Sequence, residues 1–279
     1  MSIPYFQTDE VILRALKEDI NYLDVTSDYL IPEEQVSRAV FLAKAPGVLC
    51  GLDVALRAIA LLDPDAAFER LKNDGDRLQK SDIIARVQGK TRALLKGERT
   101  ALNLLQHLSG IATATSRAVE EVAGTGATIT DTRKTLPGLR ALEKYAVTVG
   151  GGRNHRFNLS DAALIKDNHI DAVGSITKAV ETLHARVGHT VKIEVETRSI
   201  AEVEEAVRVK ADIIMLDNMD TETMKKAVEI IGGAAKVEAS GGLKSGMLRA
   251  VAETGVDIIS IGALTHSVQA LDISMKISV

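Results

Sequence analysis

The chain has 279 residues, 46% hydrophobic but only 3% aromatic, with no Trp and a formal net charge of −4 at pH 7. That balance excludes a nucleic-acid footprint over the whole surface, and no apolar run approaches the roughly 20 residues that span a bilayer. A single cysteine, Cys50, leaves no intrachain disulfide and no thiolate metal site.

Cys50 lies in the apolar stretch GVLCGLDVAL and reads as a small buried hydrophobe. The N-terminal MSIPYFQTDE lacks the basic-then-apolar order of a signal peptide, so the expected location is cytoplasmic.

In chain order, QTDEVILRALKEDI (7–20) reads as a helix opened by Thr8, with Asp9 and Glu10 in its first turn. VSRAVFLAKAPGVLCG (36–51) reads as a strand, a Pro46–Gly47 turn and a second strand. LDVALRAIALL (52–62) is helical, and IIARVQGKTRALLKG (83–97) returns to strand. From about Glu98 a long helical pattern runs to residue 123.

After Gly124 the grammar changes. The short apolar runs ATIT, AALIK, VKIEVE, DIIMLD, KVEAS and DIISIG alternate with amphipathic helical stretches. Such alternation with short connections implies a parallel sheet, because parallel strands need a crossover. Six strands fall short of the eight of a full (β/α) barrel. The expected fold is therefore α/β, an incomplete (β/α) barrel behind a mixed α/β N-terminal domain, with an open doubly wound sheet as the alternative. The expected boundaries are 1–108 and 109–268, with 269–279 returning to the N-terminal domain.

The polar residues collect where parallel α/β folds bind ligands, at the carboxyl ends of the strands. Residues 131–169 hold seven Lys/Arg (Arg133, Lys134, Arg140, Lys144, Arg153, Arg156, Lys166) against four acids, in a chain that is acidic overall. At an effective dielectric near 20, two unit charges about 4 Å apart interact by roughly 4 kcal/mol. Several facing cations therefore need a small polyanion among them, and Arg forks suit carboxylates and phosphates.

Ser240-Gly241-Gly242 ends a strand ahead of a helix expected near Lys244, which makes a phosphate cradle; Gly262 in SIGALTH is a similar turn. Glu194 and Glu196 are two apart and share one face of their strand. Glu196 and Asp217 end successive strands and suit Mg²⁺ as hard oxygen ligands. The histidines His107, His169, His184 and His189 lack metal-ligand spacing and read as structural or exposed.

The stretches DTRKTLPGLRALEKYAVTVGGGRNHR, LIKDNH, EVE, LDN and SGG, with GERTALNLLQHLSGIAT upstream, resemble the quinolinate phosphoribosyltransferase family over essentially the whole chain. The resemblance implies a type II phosphoribosyltransferase. Its reaction joins quinolinate to phosphoribosyl pyrophosphate with Mg²⁺, giving nicotinate mononucleotide, pyrophosphate and CO₂. By motif, Arg133, His155, Arg156 and Lys166 would surround the quinolinate carboxylates, with Thr132 and Lys134 in the same segment and Lys134 toward the phosphoribosyl donor. Glu196 and Asp217 would serve the ribose and the Mg-pyrophosphate. Ser240, Gly241, Gly242, Ile261, Gly262 and Ala263 would hold the 5′-phosphate, with His266 nearby.

Arg99 would reach the site of a neighbouring subunit, which implies a homodimer or a higher homo-oligomer. The chain departs from the family pattern at FNLSD, where Asn158 and Ser160 replace an expected glycine and tyrosine. Two other uses of such a barrel are a class I aldolase with Lys166 as the Schiff-base amine, and a non-catalytic sensor of a phosphorylated metabolite.

Overall fold

The computed structural model describes residues 4–278. Its first elements are α1 (Tyr5–Asp19), α2 (Val25–Leu30), β1 (Val36–Ala43), β2 (Gly47–Val48), α3 (Leu52–Ala60), β3 (Ala67–Arg70), β4 (Arg77–Leu78), β5 (Ile83–Lys90) and α4 (Thr91–Glu121). Then come β6 (Thr128–Thr130), α5 (Arg140–Val149), β7 (Ala163–Ile165), α6 (Asp167–Val173), α7 (Ile176–His184), β8 (Ile193–Thr197), α8 (Ile200–Arg208) and β9 (Ile213–Asp217). The last are α9 (Thr221–Ile231), β10 (Lys236–Ser240), α10 (Leu248–Ala252), β11 (Ile258–Ser260), α11 (Ala263–His266) and β12 (Ile273–Ser278).

Two compact units result. One comprises 1–116, 135–151 and 264–279; the other comprises 117–134 and 152–263. These divisions differ from the sequence boundaries 1–108, 109–268 and 269–279. Helix α5 follows β6 in the chain yet belongs to the first unit, and α4 supplies residues to both.

The first unit carries a four-stranded antiparallel sheet in the order β12-β1-β5-β3. Strand β1 buries Ala39, Phe41 and Ala43 on one face. The aliphatic stripes of α1, α3 and α4, including Ile12, Ile59 and Leu105, join the same core. Cys50 is fully buried there, and burial pushes its thiol well above the ordinary value.

Several local expectations fail in this unit. Helix α1 starts at Tyr5 after Pro4, whose φ of −59° suits a helix entrance. Thr8 is therefore interior, 3% exposed, and its hydroxyl donates to the Tyr5 carbonyl at 3.2 Å. Strands β1 and β2 do not form a hairpin: β1 pairs with β5 and β12, and β2 with β4. Residues 91–97 are helix rather than strand. Gly97 does not break α4, because its missing side chain lets the helix lie against Ile59 and Leu62.

The second unit is a six-stranded parallel sheet in the order β6-β11-β10-β9-β8-β7. That is the cyclic order of a barrel, with the ring open between β6 and β7. Beside β6, Arg153 forms a parallel bridge to Thr130. The Arg153 N–H donates to the Ile129 carbonyl at 2.9 Å, and the Asp131 N–H donates to the Arg153 carbonyl at 3.2 Å.

Side chains prove the curvature. His155, two residues past the bridge, meets Glu194 of β8 and Glu238 of β10 within 4.8 Å. Neighbouring strands lie about 4.8 Å apart, so a flat sheet of this order would hold these groups well beyond reach. The sheet is an incomplete barrel.

Candidate active site

Strand alternation builds the site. Along β8, β9 and β10 one parity sends Ile193, Val195, Ile214, Leu216, Val237 and Ala239 outward; none is more than 4% exposed. Helices α7, α8 and α9 pack on these strands. The other parity faces the barrel interior and carries Glu194, Glu196, Asp217, Glu238 and Ser240 together with Ile213 and Met215, and near the carboxyl ends it opens into a cavity of about 550 Å³.

The cavity gathers most of the residues singled out by sequence. Thr132, Arg133, Lys134, His155, Arg156 and Lys166 line one part of it. Glu196, Asp217 and the Ser240-Gly241-Gly242 turn line the rest. Ile261, Gly262 and Ala263 follow directly on β11, whose Ser260 also faces the cavity. Arg99 and His266 belong to the other unit. Arg99 is exposed on α4, and His266 ends α11 with its Nδ1 2.6 Å from the Ser267 hydroxyl. Of the seven cations counted in 131–169, Arg140 and Lys144 also lie in that unit, on α5.

The cations are held close to one another. Burial first, and repulsion from Arg133 second, keep the Arg156 guanidinium below its ordinary value, while Glu194 and Asp161 pull the other way. The Arg156 Nη1 donates to the Ala162 carbonyl at 2.8 Å, which fixes the fork. Lys166 caps α6, its backbone N–H donating to His169 Nδ1 at 2.9 Å, and its ammonium donates to Glu196 Oε2 at 3.0 Å. The departures at Asn158 and Ser160 sit in an exposed turn. There the Asn158 side-chain oxygen accepts the Ser160 N–H at 2.7 Å.

The carboxylate side is braced by Asn218. Its backbone is left-handed, with φ of 54°, and its side-chain amide donates to Asp217 Oδ2 at 2.9 Å. Gly241 is obligatory beside it. A Cβ there would stand 2.4 Å from Asn218 Oδ1, and its φ is 93°.

The expected helix start near Lys244 is wrong. Helix α10 begins at Leu248, and Glu121 occupies its approach, accepting the N–H groups of Gly246 at 2.9 Å and Leu248 at 2.8 Å. The glycine turn, not this helix terminus, is what remains open to a phosphate.

Hard carboxylate oxygens at Glu196 and Asp217, facing one cavity, fit a Mg²⁺ ion that takes its other ligands from water and phosphate. Among the described residues the group of three or more His/Cys/Asp/Glu side chains close enough to share an ion is a different one, His155–Glu194–Glu238. Glu238 was not anticipated. Burial first, and the charge of Glu194 second, push its carboxyl up to about 7. The available signal was its position two residues before Ser240, on the cavity-facing parity of KVEAS.

Comparison with known proteins agrees with this architecture. Residues 24–109 match the family described as quinolinate phosphoribosyl transferase, N-terminal domain, and residues 111–276 match the corresponding C-terminal domain. The chain is 45% identical over 277 residues to a probable nicotinate-nucleotide pyrophosphorylase [carboxylating] of Synechocystis sp., covering 98% of this chain and 94% of that one. A protein of the same description from Bacillus subtilis is 44% identical with the same coverage. The crystal structure of NadC from Streptococcus pyogenes superposes with a TM-score of 0.96 at 42% identity, covering 100% of this chain and 99% of that chain. The chain belongs to the quinolinate phosphoribosyl transferase family.

Proposed function

We propose that this chain catalyses decarboxylating phosphoribosyl transfer from phosphoribosyl pyrophosphate to quinolinate in NAD biosynthesis, in the cavity of the parallel-sheet unit. It is thereby a pentosyltransferase of the carboxylating nicotinate-nucleotide pyrophosphorylase class, as its relatives are described. The observation that carries the site is the convergence of Arg133, Lys134, Arg156 and Lys166 on one cavity with two carboxylates and a glycine turn.

The chemistry divides between these groups. The pyridine nitrogen donates its lone pair to the anomeric carbon, and the bond to pyrophosphate breaks with its electron pair on the leaving oxygen. The carboxylate next to the nitrogen then leaves as CO₂. Its bonding pair stays on the ring carbon beside a quaternised nitrogen and takes up one proton. Arg133, Arg156 and Lys166 hold the dicarboxylate, with His155 beside them and Thr132 in the same binding segment, and Lys134 meets the phosphoribosyl donor. Positioning two polyanions against their mutual repulsion is the main task.

Ser240, Gly241, Gly242 and the 261–263 turn take the 5′-phosphate. Glu196 lies where an acid stabilises positive charge developing on the ribose. Glu196 and Asp217 would hold Mg²⁺, which supplies charge neutralisation for the pyrophosphate. Arg99 serves a neighbouring copy, so the working unit is a homodimer or larger. Among the described residues no helix is long and apolar enough to cross a membrane; cytoplasmic residence is part of the same reading. A Schiff base on Lys166 would employ one of four cations and leave the others without a task.

The test is an assay for nicotinate mononucleotide with phosphoribosyl pyrophosphate and Mg²⁺, run with quinolinate and, in parallel, with nicotinate. Product and CO₂ from quinolinate alone are expected. Binding of quinolinate without turnover would replace the enzyme by a sensor.

A further inference from the structure

Beneath the cationic rim the cavity has an acidic floor. Glu194 and Glu238 are each 1% exposed. His155 Nε2 lies 3.1 Å from Glu194 Oε2 and 3.6 Å from Glu238 Oε1. The ring's other nitrogen is also engaged: the Arg156 N–H donates to His155 Nδ1 at 2.8 Å. The His155 backbone N–H in turn donates to Oδ1 of Asp131, a fully buried residue, at 2.8 Å.

An imidazole nitrogen that accepts an N–H carries no proton. Nδ1 is therefore bare, and the ring proton is on Nε2, directed at Glu194. This bonding also argues against a metal ion in the trio. A metal-bound histidine ordinarily donates its second ring N–H to an acceptor. Here a metal on Nε2 would leave the ring with no proton at all, an imidazolate. Oε1 of Glu194 and Oε1 of Glu238 are buried without a hydrogen-bond partner.

We infer that Glu194 and Glu238 are positioning residues for the reaction, holding the His155 ring by its Nε2–H so that Nδ1 fixes the backbone that presents Arg156 to the substrate. The inference rests on the reading of this cavity as the quinolinate site. In it His155 meets the substrate as a neutral ring, and the dicarboxylate is met by Arg133, Arg156 and Lys166 as the charged groups. A change in the floor then reaches the quinolinate end of the cavity and spares the phosphoribosyl end, which Asp217, Asn218 and the glycine turn build.

The experiment uses the full-length enzyme and the variants Glu238→Ala and Glu238→Gln. Glu238→Ala is expected to raise KM for quinolinate by roughly tenfold or more, with KM for phosphoribosyl pyrophosphate within about twofold. The amide of Glu238→Gln, neutral and able to donate toward Glu194, is expected to restore quinolinate KM to within about threefold. A long-range ¹H–¹⁵N spectrum of histidine-labelled protein at pH 7, with His155 assigned by its loss in His155→Asn, is expected to show Nε2 protonated and Nδ1 bare.

An imidazolium, an Nδ1–H tautomer, or a Glu238→Ala variant that moves both KM values equally or neither would overturn the inference. So would a stoichiometric transition metal in the purified enzyme that disappears in Glu238→Ala. Should the wild-type enzyme fail to turn over quinolinate, the functional reading falls, while the tautomer still decides the arrangement of the floor. The same spectrum decides it should Glu238→Ala not fold.

Discussion

Replacing Glu238 by Gln changes stability in a way that depends on pH, with a sign fixed by the structure. Its carboxyl is pushed from an ordinary value of 4.5 up to about 7, by burial first and by the charge of Glu194 second. Between those values the folded state binds more protons than the unfolded state, so stability present below about pH 4.5 is lost as pH rises through 7. At about 1.36 kcal/mol per unit the whole effect is about 3 kcal/mol. Gln carries no charge at any pH and escapes the loss. Glu238→Gln is expected to lie within about 1 kcal/mol of wild type at pH 5 and to be more stable by about 3 kcal/mol at pH 8. Urea unfolding followed by far-UV circular dichroism, at fixed protein concentration from pH 5 to 8, measures the difference. Parallel curves, with one constant offset across that range, would refute the reasoning.

Gly241→Ala puts a methyl group into Asn218 at a left-handed backbone position. It should raise KM for phosphoribosyl pyrophosphate at least about tenfold while calorimetric quinolinate binding stays within about threefold; equal losses for both ligands would deny the division of the cavity. Gly110→Ala sits inside α4, where the usual preference would favour Ala by about 1 kcal/mol. Its Cβ would stand 2.4 Å from the Gln269 carbonyl oxygen and 3.1 Å from Ala270 Cα. The variant should therefore melt lower, by roughly 1–3 kcal/mol of stability, and an unchanged or raised Tm would contradict the contact. Arg99→Ala and Lys166→Ala should each abolish turnover in a folded protein. Subunits of the two mixed by refolding should regain about a quarter of wild-type activity, because half the dimers then hold one intact site; no recovery would place Arg99 in its own subunit's site.

The six parallel strands were legible because each is a short apolar run between amphipathic helices, and such a pattern has few alternatives. The strand-end residues were legible for the same reason: once the sheet is parallel, Lys166, Glu196, Asp217 and Ser240 must share one end. What failed depended on contacts distant in sequence. The return of 269–279 to the N-terminal domain was expected, but its pairing as strand β12 with β1, Arg38 opposite Ser278, is announced by nothing local. The strand expected to run on to Gly97 ends at Lys90, and the helix that follows it packs Gly97 against Ile59 and Leu62. The helix expected near Lys244 failed because Glu121, more than a hundred residues earlier, takes the N–H groups of its approach. Glu238 was passed over because a strand interior is expected to be apolar, whereas here Glu194, Glu196 and Glu238 face inward beside Met215.

That inversion raises the question of why acids should lie under a site that must hold anions. Arg133 and Arg156 repel each other, and the charge of Glu194 opposes that repulsion at Arg156. Glu194 is thus a counter-charge for the rim of the empty enzyme. A second full charge at Glu238 would add little to Arg156 and would repel the incoming dicarboxylate, and the upward push on Glu238 keeps that charge partly quenched near neutrality. The two glutamates therefore have different consequences despite equal burial. At pH 5, where Glu238 holds its proton, Glu194→Gln removes the counter-charge and should cost on the order of 1 kcal/mol, once the solvent around Arg156 is allowed for. Glu238→Gln at the same pH should cost nothing. If urea unfolding at pH 5 shows the two variants destabilised alike, the floor acts as one undivided acid pair and the assignment of Glu194 to Arg156 is wrong.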